Sequence, residues 1–209
     1  MGGRGASAGW EGGGNGPSPT KVDDLISQRE RKRAEVDQTL TVLRDARDQY
    51  GLTVDTEIGT FRSGATVMGY YDQASGNVGL SKAYFDAIKI DGSYDDCVRT
   101  RFHPPRGNKT GTEAVISHEM GHALTGQIAQ KMGVSFEKAS RTIVQEAKRS
   151  DGYRGRASDW AARISRYALK NESEAIAEAF ADVYCNGNRA KRESRTIVDV
   201  LNKYAGGTR

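Results

Sequence analysis

Polar and apolar residues change their spacing twice along this chain. From Thr20 to Tyr50 the apolar positions Val22, Leu25, Ile26, Val36, Leu40, Leu43 and Tyr50 fall at helical intervals, sparse among many acids and bases. That spacing predicts one long helix, capped at Thr20 and stopped at Gly51, with a largely solvated face. The period then shortens. ATVMGYYD and NVGLSKAYF are rich in β-formers and flank QASG, a turn signal, which predicts two antiparallel strands. A short helix over 82–88 should follow, and then a loop, because Pro104-Pro105 forbids a helix and Gly107 and Gly111 mark turns. Helical spacing then returns for the rest of the chain. It predicts a helix over 113–132, capped by Thr112 and closed by Gly133, and another from Ser135 to about Lys148. Further helices are expected over 159–167, 172–185 and 194–204, with Asn186-Gly187 as a stop. The fold class is therefore α+β, mostly helical with a small antiparallel sheet.

The first nineteen residues stand apart from this pattern. They carry eight glycines and two prolines with little to bury, so a flexible Gly-rich tail is expected, either a passive linker or an arm that docks a partner through Trp10. The organisation that follows is a tail over 1–19, an N-terminal helix over 20–51 and one domain over 52–209. Net charge is a mild +4, and the basic runs RERKR, 149–156 and NRAKRESR are short and interrupted or balanced by acids, which argues against nucleic-acid binding. Two cysteines, Cys97 and Cys185, make neither a disulfide framework nor a metal spacing and read as free thiols in a reducing compartment. No signal peptide and no membrane helix is evident, so a cytoplasm is the expected location.

The chemistry concentrates in VISHEMGHAL. Residues four apart stand on one helix face, so His118 and His122 can offer imidazole nitrogens to one ion. Glu119 projects beside them, where a carboxylate can take a proton from water at the metal. Gly121 would let another element approach closely. The alternative is an ordinary helix with two solvent-facing histidines, but the chain has only three histidines and two lie in this motif. A catalytic zinc needs a third protein ligand. His103, in FHPP, is one candidate, although its ring could equally pack in the loop. The segment NESEAIAEAFADVY offers Glu174, Glu178 and Asp182 on one face among Ala and Phe, where acids are costly to bury without a compensating cation. Glu172 reads as solvent-facing.

HEMGH followed by YALKNESEAIAEAF resembles the gluzincin metallopeptidases, most closely the peptidase domain of anthrax lethal factor and the small zincin-like proteins of phages and mobile elements. Tyr167 stands seven residues before Glu174, and Asn171, Ala177, Glu178, Ala179 and Phe180 also match the family run. The resemblance covers these two blocks and, more loosely, the hairpin and the HP loop; it covers nothing of residues 1–50. It implies a zincin-like domain with one Zn²⁺ (Zn2+) held by His118, His122 and Glu174. Glu178 would accept a hydrogen bond from the far nitrogen of a ligand histidine, as in thermolysin-like enzymes. Glu119 would act as general base and Tyr167 would donate to the oxyanion. The implied activity is a zinc metalloendopeptidase acting on a protein or peptide substrate, phage structural proteins among the candidates. A strand edge would pair with the extended substrate. The competing expectation is a virion-associated interaction protein that keeps the fold without peptidase activity.

Overall fold

The computed structural model describes residues 19–61 and 67–206, with the side chains of 19–23, Leu25, Thr60 and Phe61 left aside. The Gly-rich stretch and Trp10 lie outside the described residues. Helix α1 (Pro19–Tyr50) leads into strands β1 (Thr56–Phe61), β2 (Gly69–Tyr71) and β3 (Val78–Ser81), then helices α2 (Ala87–Arg99), α3 (Gly111–Met132), α4 (Phe136–Ser150), α5 (Ala157–Ala161), α6 (Glu172–Asn186) and α7 (Arg192–Ala205). Single 3-10 turns occupy Lys82–Tyr84, Tyr167–Leu169 and Gly187–Arg189. The protein is mostly helical with one three-stranded sheet, an α+β arrangement. No described helix is long and apolar enough to cross a membrane.

The sheet corrects the expected one. β2 and β3 form the antiparallel pair, with Tyr71 opposite Val78, and the turn is held by Asp72, whose carboxylate accepts from Ala74 N and Ser75 Oγ. But β1 joins the other side of β3 in parallel, Ile58 opposite Leu80, so the sheet is mixed, ordered β1-β3-β2. β3 is buried along its whole length, and β2 is an edge. Parallel pairing is chosen by tertiary contact, which no local pattern reveals.

Other boundaries move for identifiable reasons. The loop expected after Ile90 begins with α2, which starts where the Asp86 carboxylate accepts from Ile88 N and Lys89 N and runs through Gly92. α3 is capped by Thr110, not Thr112: Glu113 N donates to Thr110 Oγ1, and Thr110 N donates to the Glu113 carboxylate, a reciprocal capping box. Thr112 is buried inside the helix. α1 begins at Pro19, which puts Thr20 within it. Its docked face is Glu35, Thr39, Val42, Ala46 and Tyr50, while Leu40 and Ile26 are exposed. The helix expected over 159–167 is the short α5 followed by a separate 3-10 turn.

The centre of the molecule is the crossing of α3 on α6. A β-carbon added to Gly121 would lie 2.9 Å from Ala177 Cα and 3.0 Å from Phe180 Cβ, so α6 approaches the metal-motif helix as closely as a bare backbone permits. Ala177 and Ala181, four apart and buried, keep that face of α6 thin. Val42, Ala46 and Tyr50 of α1 belong to the same hydrophobic core as Ile116, Leu124, Trp160 and Ile176.

Candidate metal centre

His118, Glu119 and His122 occupy the middle of α3, with ligand-type atoms all within 4.8 Å of one another. α6 brings a fourth group. Its cap, Asn171, accepts the Glu174 backbone N–H on Oδ1 at 2.9 Å, which starts the helix so that Glu174 points at the histidine pair. Glu174 Oε2 then lies 3.2 Å from His118 Nε2 and 3.3 Å from His122 Nε2. The oxygen is buried and neither imidazole N–H is aligned to donate to it. Two imidazole nitrogens and a carboxylate oxygen thus converge without making a proper hydrogen bond. A tetrahedral zinc shell with bonds of about 2.0–2.1 Å has ligand–ligand edges of about 3.3 Å, so this donor set fits zinc in both type and spacing.

Behind the triad lies a buried polar layer. Glu178, one turn after Glu174, is enclosed to 1 % exposure. Its Oε1 is 2.9 Å from His118 Nδ1 and accepts from His103 Nδ1 at 2.8 Å, while Oε2 accepts from Ser165 Oγ at 2.7 Å. The His118 approach is off the hydrogen-bond line and acts as a charge contact. His103 stacks on Tyr94 at 5.3 Å between centroids and faces Glu178, so it supports the layer behind the triad. Asp182 points elsewhere: it accepts from Asn186, Lys191 N and Ser194, tying α6 to α7. Glu172 is half-buried on the wall of a separate hollow of about 220 Å³.

Burial and charge oppose each other throughout the site. Burial raises the Glu174 carboxyl, but His118 and His122 outweigh it and hold the group well below the ordinary carboxylate range. Glu178 is likewise pushed up by burial and pulled down by His103 and His118, to about 2. Glu119 goes the other way: burial dominates and raises it despite the two imidazoles. Burial lowers His118, yet the Glu174 and Glu178 carboxylates win and raise it well above its usual value.

Tyr167 comes from the 3-10 turn before α6. Arg166 N and Tyr167 N donate to the carbonyls of Arg101 and Phe102, pinning this turn to the loop that carries His103. The Tyr167 ring lies 5.9 Å from His118, 5.4 Å from His103 and 4.9 Å from Phe102. Ser165 accepts Ala168 N as it donates to Glu178, joining the turn to the buried layer. Lys170, not singled out from sequence, donates to both Tyr167 Oη and Glu174 Oε1.

Two hollows, of about 510 and 280 Å³, adjoin the triad and share Gly69, His118, Glu119 and Tyr167 in their walls. The larger is bounded by Met68, Tyr84, Tyr94, Phe102 and Val115; the smaller runs past Tyr71, which stacks on His122, to Phe136. Gly69 of β2 crosses α3 so closely that an added β-carbon would meet Val115 at 2.6 Å and Glu119 Oε1 at 3.1 Å. Lys191, Arg192 and Arg195 of the basic C-terminal run bond to oxygens of this chain. Cys97 and Cys185 are free thiols. Comparisons with protein-family models, with curated proteins and with solved structures return no match for this chain.

Proposed function

We propose that this protein is a zinc-dependent endopeptidase of the gluzincin type, with His118, His122 and Glu174 as metal ligands. The observation that carries the reading is the convergence of two Nε2 atoms and an unbonded buried Oε2 at 3.2 and 3.3 Å. Zinc in such a site supplies a Lewis acid that polarises a peptide carbonyl and makes water a nucleophile near neutral pH. The remaining steps belong to the protein. Glu119, raised by burial, takes the proton of the attacking water and delivers it to the leaving amine. Tyr167 donates its hydroxyl to the oxygen of the attacked carbonyl as charge develops there. Glu178, 2.9 Å from His118 Nδ1, would accept that N–H once a metal draws the imidazole into line, and so hold Nε2 toward the metal.

The edge strand β2 gives the substrate its place. β2 is an end strand of the sheet among the described residues, and its Gly69 lies against Glu119, so an extended peptide pairing there would pass the base. The larger, apolar hollow would receive a bulky apolar side chain next to the scissile bond. A phage or mobile-element origin, action in a bacterial cytoplasm or on a virion, and a phage structural protein as target belong to the same proposal.

The test has two parts. Purified protein should carry about one zinc per chain by mass spectrometry. Glu119→Gln should keep that zinc while cleavage of a quenched-peptide library falls by about 10²-fold or more. No zinc uptake removes the proposal. Zinc uptake with no cleavage of peptides or copurifying proteins favours an interaction protein that uses the site structurally.

A further inference from the structure

Lys170 sits where the Tyr167 turn meets α6. The turn places Lys170 N on Tyr167 O at 3.0 Å, and the Asn171 cap starts the helix one residue later. The extended Asn171 interrupts the helical path between Lys170 and Glu174, so side-chain contacts rather than helical spacing bring residues 167, 170 and 174 together. Lys170 Nζ is 3.0 Å from Tyr167 Oη, 2.8 Å from Glu174 Oε1 and 4.9 Å from the Tyr167 ring centroid. An ammonium has three protons and no lone pair, so in both contacts it can only donate. Tyr167 Oη must therefore accept from Lys170, and its own proton turns either to the Glu174 carboxylate, which also faces the phenol, or toward the hollows. Tyr167 lines both hollows beside the triad, so that proton is available to a group bound there. On Glu174 the ammonium takes the outer oxygen and leaves Oε2 to the two imidazoles.

We infer that Lys170 is a positioning residue: it fixes the Tyr167 hydroxyl as an acceptor toward itself and a donor toward substrate, and it limits Glu174 to one metal-facing oxygen. The inference rests on the peptidase reading of the site. It also sets an unusual sign. A fixed positive charge near a zinc ion repels it, so Lys170 acts in favour of turnover and against metal affinity. A residue that merely braces the turn would support both.

The experiment compares wild type, Lys170→Met and Lys170→Arg, each also combined with Tyr167→Phe, in the zinc-loaded full chain. Kinetics use a quenched-fluorescent peptide chosen from a mixed library, and zinc affinity is measured by chelator competition. Lys170→Met should lower kcat by about 10-fold, a part of what a lost oxyanion donor costs. KM should change by less than about 2-fold, since the interaction matters only as charge develops. Zinc affinity should stay level or tighten, Lys170→Arg should recover part of kcat, and Lys170→Met should cost nothing further on top of Tyr167→Phe. Parallel losses of kcat and zinc affinity, or an equal cost with and without the tyrosine, would overturn the inference and leave the peptidase reading standing. So would unchanged kcat in Lys170→Met where Tyr167→Phe is impaired. If the zinc-loaded wild type cleaves nothing, the peptidase reading fails by itself. A crystal structure of that zinc-loaded protein then decides the contact: Nζ on Tyr167 Oη and Glu174 Oε1 supports it, and Nζ turned to solvent overturns it.

Discussion

Glu178 and Glu35 are both carboxyls enclosed by the fold, at 1 % and 0 % exposure, and their surroundings treat them in opposite ways. Glu178 meets two imidazoles and a serine hydroxyl, and its pKa is held at about 2. Glu35, on the docked face of α1, has no aligned hydrogen-bond donor on either oxygen; burial, then the nearby charge of Asp86, pushes its pKa up to about 8. Thr39 and Thr112 add buried hydroxyls without partners. The difference is one of compensation. Burying a carboxylate is costly unless positive or hydrogen-bonding groups face it, and Glu178 is buried where α3, the His103 loop and Ser165 supply them. At Glu35 the fold buries the acid and keeps its proton.

That contrast makes quantitative claims about the metal side first. Glu174→Ala removes one of the three converging atoms, and zinc affinity should fall by more than about 10²-fold, beyond what loss of an outer-layer partner costs. Glu178→Ala removes the acceptor that orients His118, with an expected loss of about 10–100-fold in zinc affinity by chelator competition. His103→Ala leaves Glu178 its contacts to His118 and Ser165 and should cost no more than about 10-fold, the weak end of such effects. A loss with His103→Ala as large as with Glu174→Ala would mean that His103 enters the metal shell, and the assignment of Glu178 as its acceptor would be wrong.

How much of this was legible in the sequence depends on whether the determining contact is local. The His118–His122 pair, the helix start at Glu172 and the Gly133 stop are settled within a turn of helix, and their letters announce them. Gly121 could be read as a close approach, although not the identity of Ala177 and Phe180 on the other side. β1 was invisible because its partner is chosen across twenty residues and runs parallel. α2 was hidden by Gly92 and its polar content, yet a β-carbon at Gly92 would meet nothing, so the glycine costs only propensity there. In α1 the apolar letters included Leu40, which is exposed, and Leu43, which packs against the core, but they gave no sign that the docked face also takes in Glu35 and Thr39. Tertiary docking overrode the pattern. At the site, Ser165, Lys170 and the orientation of His103 arise where the 101–103 loop meets the 165–170 turn, an encounter that no spacing encodes.

The smallest expected effect tests the other half of the comparison. If Glu35 keeps its proton in the folded protein to about pH 8 but ionises near 4.5 when unfolded, the folded state binds the extra proton between those values. Stability then falls as pH rises through that window and levels off above it, because deprotonation favours the unfolded chain. Glu35→Gln keeps the size and removes the titration. The informative quantity is the difference between the two proteins, in which titrations common to both cancel. Asp86 is already paired to Arg31, and the charge of Lys32 lowers Glu35 too little to offset its burial. Relaxation and local hydration reduce the full linkage to about 1–2 kcal/mol, or about 3–6 °C in Tm. Thermal unfolding at pH 5.5 and 8.5 should therefore show Glu35→Gln nearly matching wild type at the lower pH and exceeding it at the higher. Equal gaps at both pH values would mean that Glu35 is ionised in the fold, and that α1 docks with a partner for it after all.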